Sequence, residues 1–270
     1  MDCDQRIEQA GREKREQVER LELFDANVWL GEPAGFPLAA AMDWLELKRT
    51  MESYGIRQAL VSHWAGLRVA AQEGNRRLLA TVREAGGPAV PAIWTGLPLF
   101  PGEEGPLPGI GEAPHCLRGV RLFPRSHNYP LADWVLGELC AWLAGKRLPL
   151  FLWHVEVDWP SLHALASAYP RLAVVVETQT QKILYQDRPL FALMRACPNV
   201  YVEISNLVGA GFLAYAVREL GGERLLFGSF LPVNDPWVSV GLILDAEIGW
   251  EDKRRIAGDN LRRLLAGSTA

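Results

Sequence analysis

Short apolar runs alternate with segments of helical periodicity along almost the whole chain. Each run is rich in Val, Ile, Leu and Phe, and is followed by a loop and then by apolar residues at helical spacing. The eight runs occupy residues 21–30, 58–64, 89–94, 119–123, 148–153, 172–176, 200–204 and 224–227. Apolar strands that alternate with helices are typical of a parallel sheet covered on both faces. The pattern therefore predicts an α/β fold, a single closed (β/α)8 TIM barrel.

The segments between the runs carry the signals of helix ends. Their periodicity predicts helices over residues 39–54, 69–85, 131–144, 161–169, 189–196, 211–220, 237–248 and 251–265. Gly55 follows the first of these, as is common just past a helix end. Asp235 before Pro236 is typical of a helix start. The Gly- and Pro-rich connection from Leu97 to Leu117 is either a lid or an extended surface loop.

The first 20 residues differ from the rest because they are almost all polar. Glu8 and Arg12, like Glu16 and Arg20, stand four residues apart, which favours ion pairs along a helix. We interpret residues 1–20 as an N-terminal helical extension that lies against the domain, with a partner-binding arm as the alternative. Residues 21–270 are then the barrel domain, which matches the roughly 250 residues that such a barrel needs.

Charge and cysteine usage exclude several classes of protein. A formal charge of −4 and the lack of Lys/Arg-rich runs argue against a nucleic-acid or membrane-surface partner. No apolar stretch reaches the 18 or so residues of a membrane helix, and the charged N-terminus predicts no secretory signal. The four cysteines lack metal-binding spacing and are expected to be reduced. A cytoplasmic protein with a small-molecule ligand is expected, and a homo-oligomer stays open.

Chemistry in such a barrel gathers where the strands end, where four motifs lie, and a fifth motif closes the chain. In chain order they are Phe24-Asp25-Ala26-Asn27-Val28-Trp29-Leu30-Gly31, Gly119-Val120-Arg121-Leu122-Phe123-Pro124, Leu150-Phe151-Leu152-Trp153-His154, Phe227-Gly228-Ser229-Phe230-Leu231-Pro232 and Ile256-Ala257-Gly258-Asp259-Asn260-Leu261-Arg262-Arg263-Leu264-Leu265. Together they resemble the amidohydrolase superfamily, in particular amidohydrolase family 2, whose barrels are metal-dependent hydrolases and decarboxylases. The similarity runs from about residue 21 to the end of the chain.

The resemblance also implies where the family's metal ligands fall. Its two first-strand histidines correspond to Asn27 and Trp29, its fifth-strand histidine to His154, its sixth-strand histidine to Thr178 and its eighth-strand aspartate to Phe230. Zinc or manganese needs three or four N, O or S donors, and of these residues His154 alone is a strong one. The sequence therefore predicts no metal and no other cofactor.

A relocated metal site is the alternative that these residues leave open. His154 and Glu156 stand two apart at the end of the fifth strand, so their side chains are expected to point the same way. Glu203 on the seventh strand and His63 on the second face the same mouth in this interpretation. A hydrogen-bonded polar network explains the same residues.

Three residues are the candidates for catalysis. His154 and Glu156 are suited to proton transfer, and Arg121 to the anchoring of an anionic group. An internal acid such as Glu156 or Glu203 is the other expected partner of Arg121, since a buried guanidinium needs an anion. Glu177 and Glu203 would resemble a glycosidase pair if both reached the mouth. Side chains alternate along a strand, however, so if Thr178 points inward, Glu177 points outward.

Five further residues are the candidates for substrate binding. They are Asn27, Trp29, Thr178, Glu203 and Phe230, which together describe an aromatic-walled pocket with polar groups. The alternative is that Trp29 and Phe230 fill the mouth as packing.

The candidate residues lead to two hypotheses about function. One is a metal-independent hydrolase, lactonase-like or amidase-like, for a small carboxylated or cyclic metabolite. The other is a non-catalytic barrel that binds a small ligand or an active homologous subunit.

Overall fold

A computed structural model describes residues 3–33, 35–36, 38–86, 90–98, 115–178 and 186–268 of the chain. Most of the predicted connection from Leu97 to Leu117 and the first residue of the predicted third strand lie outside these ranges. Within the described part of the chain, no helix is both long and apolar enough to span a bilayer.

Eight parallel strands form one sheet in which chain order equals spatial order. They are β1 Phe24–Leu30, β2 Gln58–His63, β3 Ala92–Thr95, β4 Leu117–Leu122, β5 Leu150–Trp153, β6 Val174–Glu177, β7 Val200–Glu203 and β8 Leu225–Leu226. The sheet closes because the backbone N–H of Ala26 donates to Phe227 O at 2.9 Å and that of Trp29 to Leu231 O at 2.9 Å. The predicted (β/α)8 TIM barrel is confirmed.

Helices alternate with the strands and cover the outside of the barrel. They are α1 Cys3–Leu21, α2 Trp44–Ser53, α3 Ala65–Arg68, α4 Ala71–Glu84, α5 Asp133–Lys146, α6 Trp159–Ala168, α7 Asp187–Ala196, α8 Phe212–Leu220, α9 Pro236–Leu244, α10 Trp250–Arg254 and α11 Asn260–Leu265. The helix start predicted at Asp235 is confirmed, since its carboxylate accepts from Trp237 N at 2.9 Å. The second helix starts later than the predicted residue 39, because Asp43 and Glu46 form a capping box there.

The predicted N-terminal helix exists as α1, and its carboxyl-terminal part packs on the barrel. Val18 and Leu21 are buried. The guanidinium of Arg20 lies 4.5 Å from the ring centre of Trp250, and the ammonium of Lys14 lies 5.4 Å from that of Trp237. The division of the chain at residue 20 into an extension and a domain stays a prediction.

The inside of the barrel is layered along its axis. Apolar side chains fill the amino-terminal part, among them Phe24, Phe151, Val175 and Leu226. Two residues further along the strands, the inward positions become polar and then aromatic. The carboxyl-terminal end of the barrel thus places the candidate site above a closed apolar floor.

Candidate functional site

Five aromatic side chains occupy the mouth of the barrel at the carboxyl ends of the strands. We call them the mouth cluster: Trp29, Trp64, Phe123, Trp153 and Phe230. Each is at most 5% exposed. Trp29 stacks on Trp64 with ring centres 4.5 Å apart, and its edge meets Trp153 at 5.4 Å. Packing within the mouth, the second of the two interpretations of Trp29 and Phe230, fits these contacts.

Phe230 completes the cluster from the loop after β8. Its backbone lies in the left-handed region at φ +58°, an uncommon conformation for a bulky residue. The ring stands edge-on to Trp153 at 5.9 Å and to Phe36 at 5.6 Å. The loop therefore holds the ring against the other aromatic side chains of the mouth cluster.

Beneath the mouth cluster lies a polar layer made of Asn27, Arg121, Glu177 and Glu203, all at most 1% exposed. Arg121 donates from Nε to Glu177 Oε2 at 2.8 Å and from Nη2 to Glu177 Oε1, while Nη1 donates to Ser62 Oγ. Its guanidinium also lies 4.3 Å from the ring centre of Trp29. The arginine is thus held by a two-point ion pair and by an aromatic face.

Glu177 corrects two expectations from the sequence. It points inward, not outward, and it replaces Glu156 and Glu203 as the acid that pairs with Arg121. Alternation was counted from Thr178, but β6 ends at Glu177, so the strand period does not extend to Thr178. Counted from Val175 in the apolar floor, the same period places Glu177 inside.

Asn27 and Glu203 complete the polar layer from the first and seventh strands. The amide of Asn27 donates from Nδ2 to Glu203 Oε2 at 3.1 Å, and its Oδ1 accepts from Trp29 Nε1 at 2.7 Å. Glu203 also accepts from Ser205 Oγ at 3.0 Å. Both candidates for substrate binding therefore use their polar atoms on neighbouring protein groups.

Burial shifts the titration of the acids in and beside this layer. Desolvation raises the pKa of Glu203 to about 8, with a further contribution from the nearby Glu177 carboxylate. Desolvation also raises the pKa of Asp25 to about 7. For Glu177, desolvation raises the pKa and Arg121 opposes it. At neutral pH a pKa of about 8 favours the protonated form of Glu203, whereas a pKa of about 7 divides Asp25 between its two forms.

The hydroxyl of Thr178 connects the end of β6 to the end of β7 by hydrogen bonds. Its Oγ1 donates to the carbonyl oxygen of Glu203 at 2.9 Å and accepts from Asn206 N at 2.9 Å. Such a hydroxyl positions the ends of β6 and β7, and both roles of its oxygen are filled by the backbone. Its predicted contact with a substrate stays a prediction.

His154 and Glu156 do not continue β5, as the sequence interpretation assumed. The strand ends at Trp153, and residues His154–Glu156 form one turn of 3₁₀ helix. With three residues per turn, side chains two apart diverge, so the expected common direction is wrong. His154 is buried, and Glu156 accepts from Ser126 N at 2.7 Å and from Ser126 Oγ at 2.6 Å.

The residues at the mouth do not fit the divalent metal that the resemblance implies. Trp29 and Phe230 offer no lone pair to a metal ion, and Thr178 is committed to backbone groups. In the relocated set, Nδ1 of His63 accepts from Ala65 N at 3.1 Å. The described residues contain no group of three or more His, Cys, Asp or Glu side chains placed to hold a metal ion.

Sequence reasoning missed several members of this site. Trp64 and Phe123 belong to the mouth cluster, and Ser62 and Glu177 hold Arg121. All four stand at predicted strand ends, so their positions were visible. Their roles were not, because contacts between non-adjacent strands depend on how the barrel closes.

Known proteins are similar to this chain mainly in structure. No curated protein sequence matches it significantly. The solved structure of 5-carboxyvanillate decarboxylase from Sphingomonas paucimobilis has a TM-score of 0.66 at 14% identity, covering 92% of this chain and 100% of that one. Amidohydrolase 2 from Bifidobacterium longum subsp. infantis has 0.64 at 17% identity, covering 91% and 99%. A zinc-bound amidohydrolase from Burkholderia multivorans has 0.66 at 16% identity, covering 90% and 99%.

These structural similarities support the barrel fold, and a sequence profile adds the family. The profile of the family described as Amidohydrolase matches residues 31–266, which is most of the chain. The matched range includes the strand ends that carry Arg121, His154 and Phe230. The chain therefore belongs to the amidohydrolase family, as the order of its strand-end motifs indicated.

Proposed function

We propose that this chain is a non-catalytic member of the amidohydrolase family that acts by binding a partner or ligand. One observation carries the proposal: all five rings of the mouth cluster are at most 5% exposed, in the place where barrels of this kind carry their chemistry. A substrate that entered along the barrel axis would have to displace Trp29 or Phe230 from close aromatic contacts.

The polar layer supports the same proposal. A metal-independent hydrolase of the predicted kind needs Arg121 to meet an anionic substrate, but the guanidinium is engaged by Glu177, Ser62 and the ring of Trp29. Proton transfer by His154 and Glu156 needs both groups at one reacting atom, whereas Glu156 is held by Ser126. The non-catalytic function therefore needs fewer rearrangements than the hydrolase does.

Turnover assays test the proposal directly. Two of the structurally similar proteins are decarboxylases named for 5-carboxyvanillate and 2,6-dihydroxybenzoate. We expect no turnover of these acids, of a small lactone or of a small amide above the enzyme-free rate, with or without added zinc or manganese. Turnover that His154→Ala abolishes without lowering the melting temperature would overturn the proposal and favour the hydrolase or decarboxylase function.

A further inference from the structure

An apolar surface on the flank of the barrel surrounds α8 and has a cleft on each side. Between α7 and α8 lies a cleft of about 660 Å³, walled by Phe191, Phe212 and Tyr215. The second cleft, between α8 and α9, has about 560 Å³ and is walled by Leu213 and Val238. Tyr215 and Val238, one beside each cleft, are 38% and 45% exposed, although both are large apolar side chains.

A ridge of small residues separates the two clefts. Ala210 and Gly211 line both clefts, and Ala214 follows on the exposed side of α8. Small side chains between two grooves let another backbone approach closely. The shape thus suits a second helix that lies along α8.

The charges beside the two clefts differ in net sign. Arg188 and Arg195 line the cleft on the α7 side together with one acid, Asp187, and two acids, Asp245 and Glu247, line the cleft on the α9 side. None of these five forms a salt bridge with another residue that the structure describes. Unpaired charges that flank an apolar ridge are suited to a partner with the reverse pattern.

We propose that a second copy of this chain docks on the α8 face and that the two-fold axis runs parallel to α8. Such an axis exchanges the two sides of the ridge, so the arginine side of each copy faces the acidic side of the other. An axis across α8 would instead place like charges opposite each other. Arg195 stands one residue before the end of α7, and Asp245 follows the last residue of α9.

The experiment is sedimentation velocity of the full chain and of charge-reversal variants. The native chain is expected to be a dimer, and Arg195→Glu and Asp245→Arg are each expected to raise the dimer dissociation constant at least about tenfold, since both symmetry-related contacts become repulsive. An equimolar mixture of the two variants restores dimers, because the charges are complementary in the heterodimer. Arg49→Glu, an exposed position on α2, is the matched control and leaves the dimer unchanged.

Three results would overturn the proposal. A native chain that sediments as a monomer throughout the accessible concentration range removes the second copy as the occupant of this face. Dimers that both variants leave intact place the interface elsewhere. Variants that stay monomeric when mixed contradict the two-fold pairing of Arg195 with Asp245. All variants change exposed side chains, and circular dichroism confirms that they are folded.

Discussion

The mouth cluster and the polar layer lie against each other at the same end of the barrel but are stabilised by different forces. In the mouth cluster, Trp29, Trp153 and Phe230 make ring contacts, and their energy comes from burial and dispersion. In the polar layer, Arg121 and Glu177 make charged hydrogen bonds that matter because the site is dry. The guanidinium of Arg121, 4.3 Å from the ring centre of Trp29, joins the two.

The comparison shows how a barrel can retain buried charges without an open site above them. The acids and the arginine of the polar layer satisfy one another, so no ligand is needed to compensate them. The shifted pKa of Glu203 is then a consequence of burial in the fold. A perturbed pKa in a barrel is a reason to look for function, and the buried aromatic rings above Glu203 support the proposal that this mouth is closed.

The largest expected effect comes from breaking the ion pair in the polar layer. Glu177→Leu leaves Arg121 buried without its carboxylate and is expected to lower the free energy of unfolding by about 3–5 kcal/mol. The double variant Arg121→Met/Glu177→Leu recovers most of this loss, because no unpaired charge stays inside. Urea denaturation of the three proteins measures both effects.

A surface ion pair provides the control for that experiment. Glu73 accepts from Arg76 and Arg77 on the exposed side of α4. Solvent screens these charges, so Glu73→Leu is expected to change the denaturation midpoint very little. If Glu73→Leu and Glu177→Leu lower the free energy of unfolding equally, the contrast between a buried ion pair and a solvent-exposed one is contradicted.

Removing a ring from the mouth cluster is expected to destabilise the protein by a similar amount, but it also creates a cavity that a ligand can fill. Trp29→Ala is expected to lower the free energy of unfolding by about 3–5 kcal/mol, because the neighbouring rings cannot close the cavity. Indole is expected to raise the melting temperature of the variant and not that of the native chain, since an apolar cavity binds a ligand of matching shape. Trp134→Ala, at a side chain that is 82% exposed, is the control. A native chain that indole stabilises as strongly would mean that the mouth is already open.

The pH dependence of stability tests the polar layer without deleting a contact. An acid whose pKa is raised in the folded state binds more protons folded than unfolded, so its stabilising contribution is full below its ordinary pKa and is lost as pH rises through the folded value. For Glu203 this window runs from 4.5 to about 8. The melting temperature of Glu203→Gln relative to that of the native chain is therefore expected to be higher at pH 9 than at pH 5. If the variant and the native chain differ in melting temperature by the same amount at both pH values, the raised pKa of Glu203 is contradicted.

The smallest effect is expected at the rim, outside both layers. Ser126→Ala removes the hydroxyl that donates to Glu156 Oε1 at 2.6 Å but keeps the backbone bond to Oε2. Because the serine is exposed, the loss is expected to be at most about 1 kcal/mol by urea denaturation. A loss as large as that of Trp29→Ala would mean that this rim contact organises the mouth.

Local patterns in the sequence predicted the frame of the molecule well. The eight apolar runs became eight strands, and Asp235 starts a helix as its chemistry indicated. These features depend on neighbours in the chain. The errors arose where the strand period was extended past the end of a strand, by one residue to Thr178 and by three residues to Glu156, since that reversed Glu177 and aligned His154 with Glu156. Strand ends depend on the hydrogen bonding of the next strand, which periodicity does not encode.

Metal content is the most direct test of the claim that the mouth is packed and holds no metal-centred site. The protein is expressed in medium supplemented with zinc and manganese, purified without chelator and measured by plasma mass spectrometry. The packed mouth predicts far less than stoichiometric metal, unchanged by His154→Ala. About one equivalent of zinc or manganese per chain, lost in His154→Ala, would contradict the account and restore a metal-dependent enzyme.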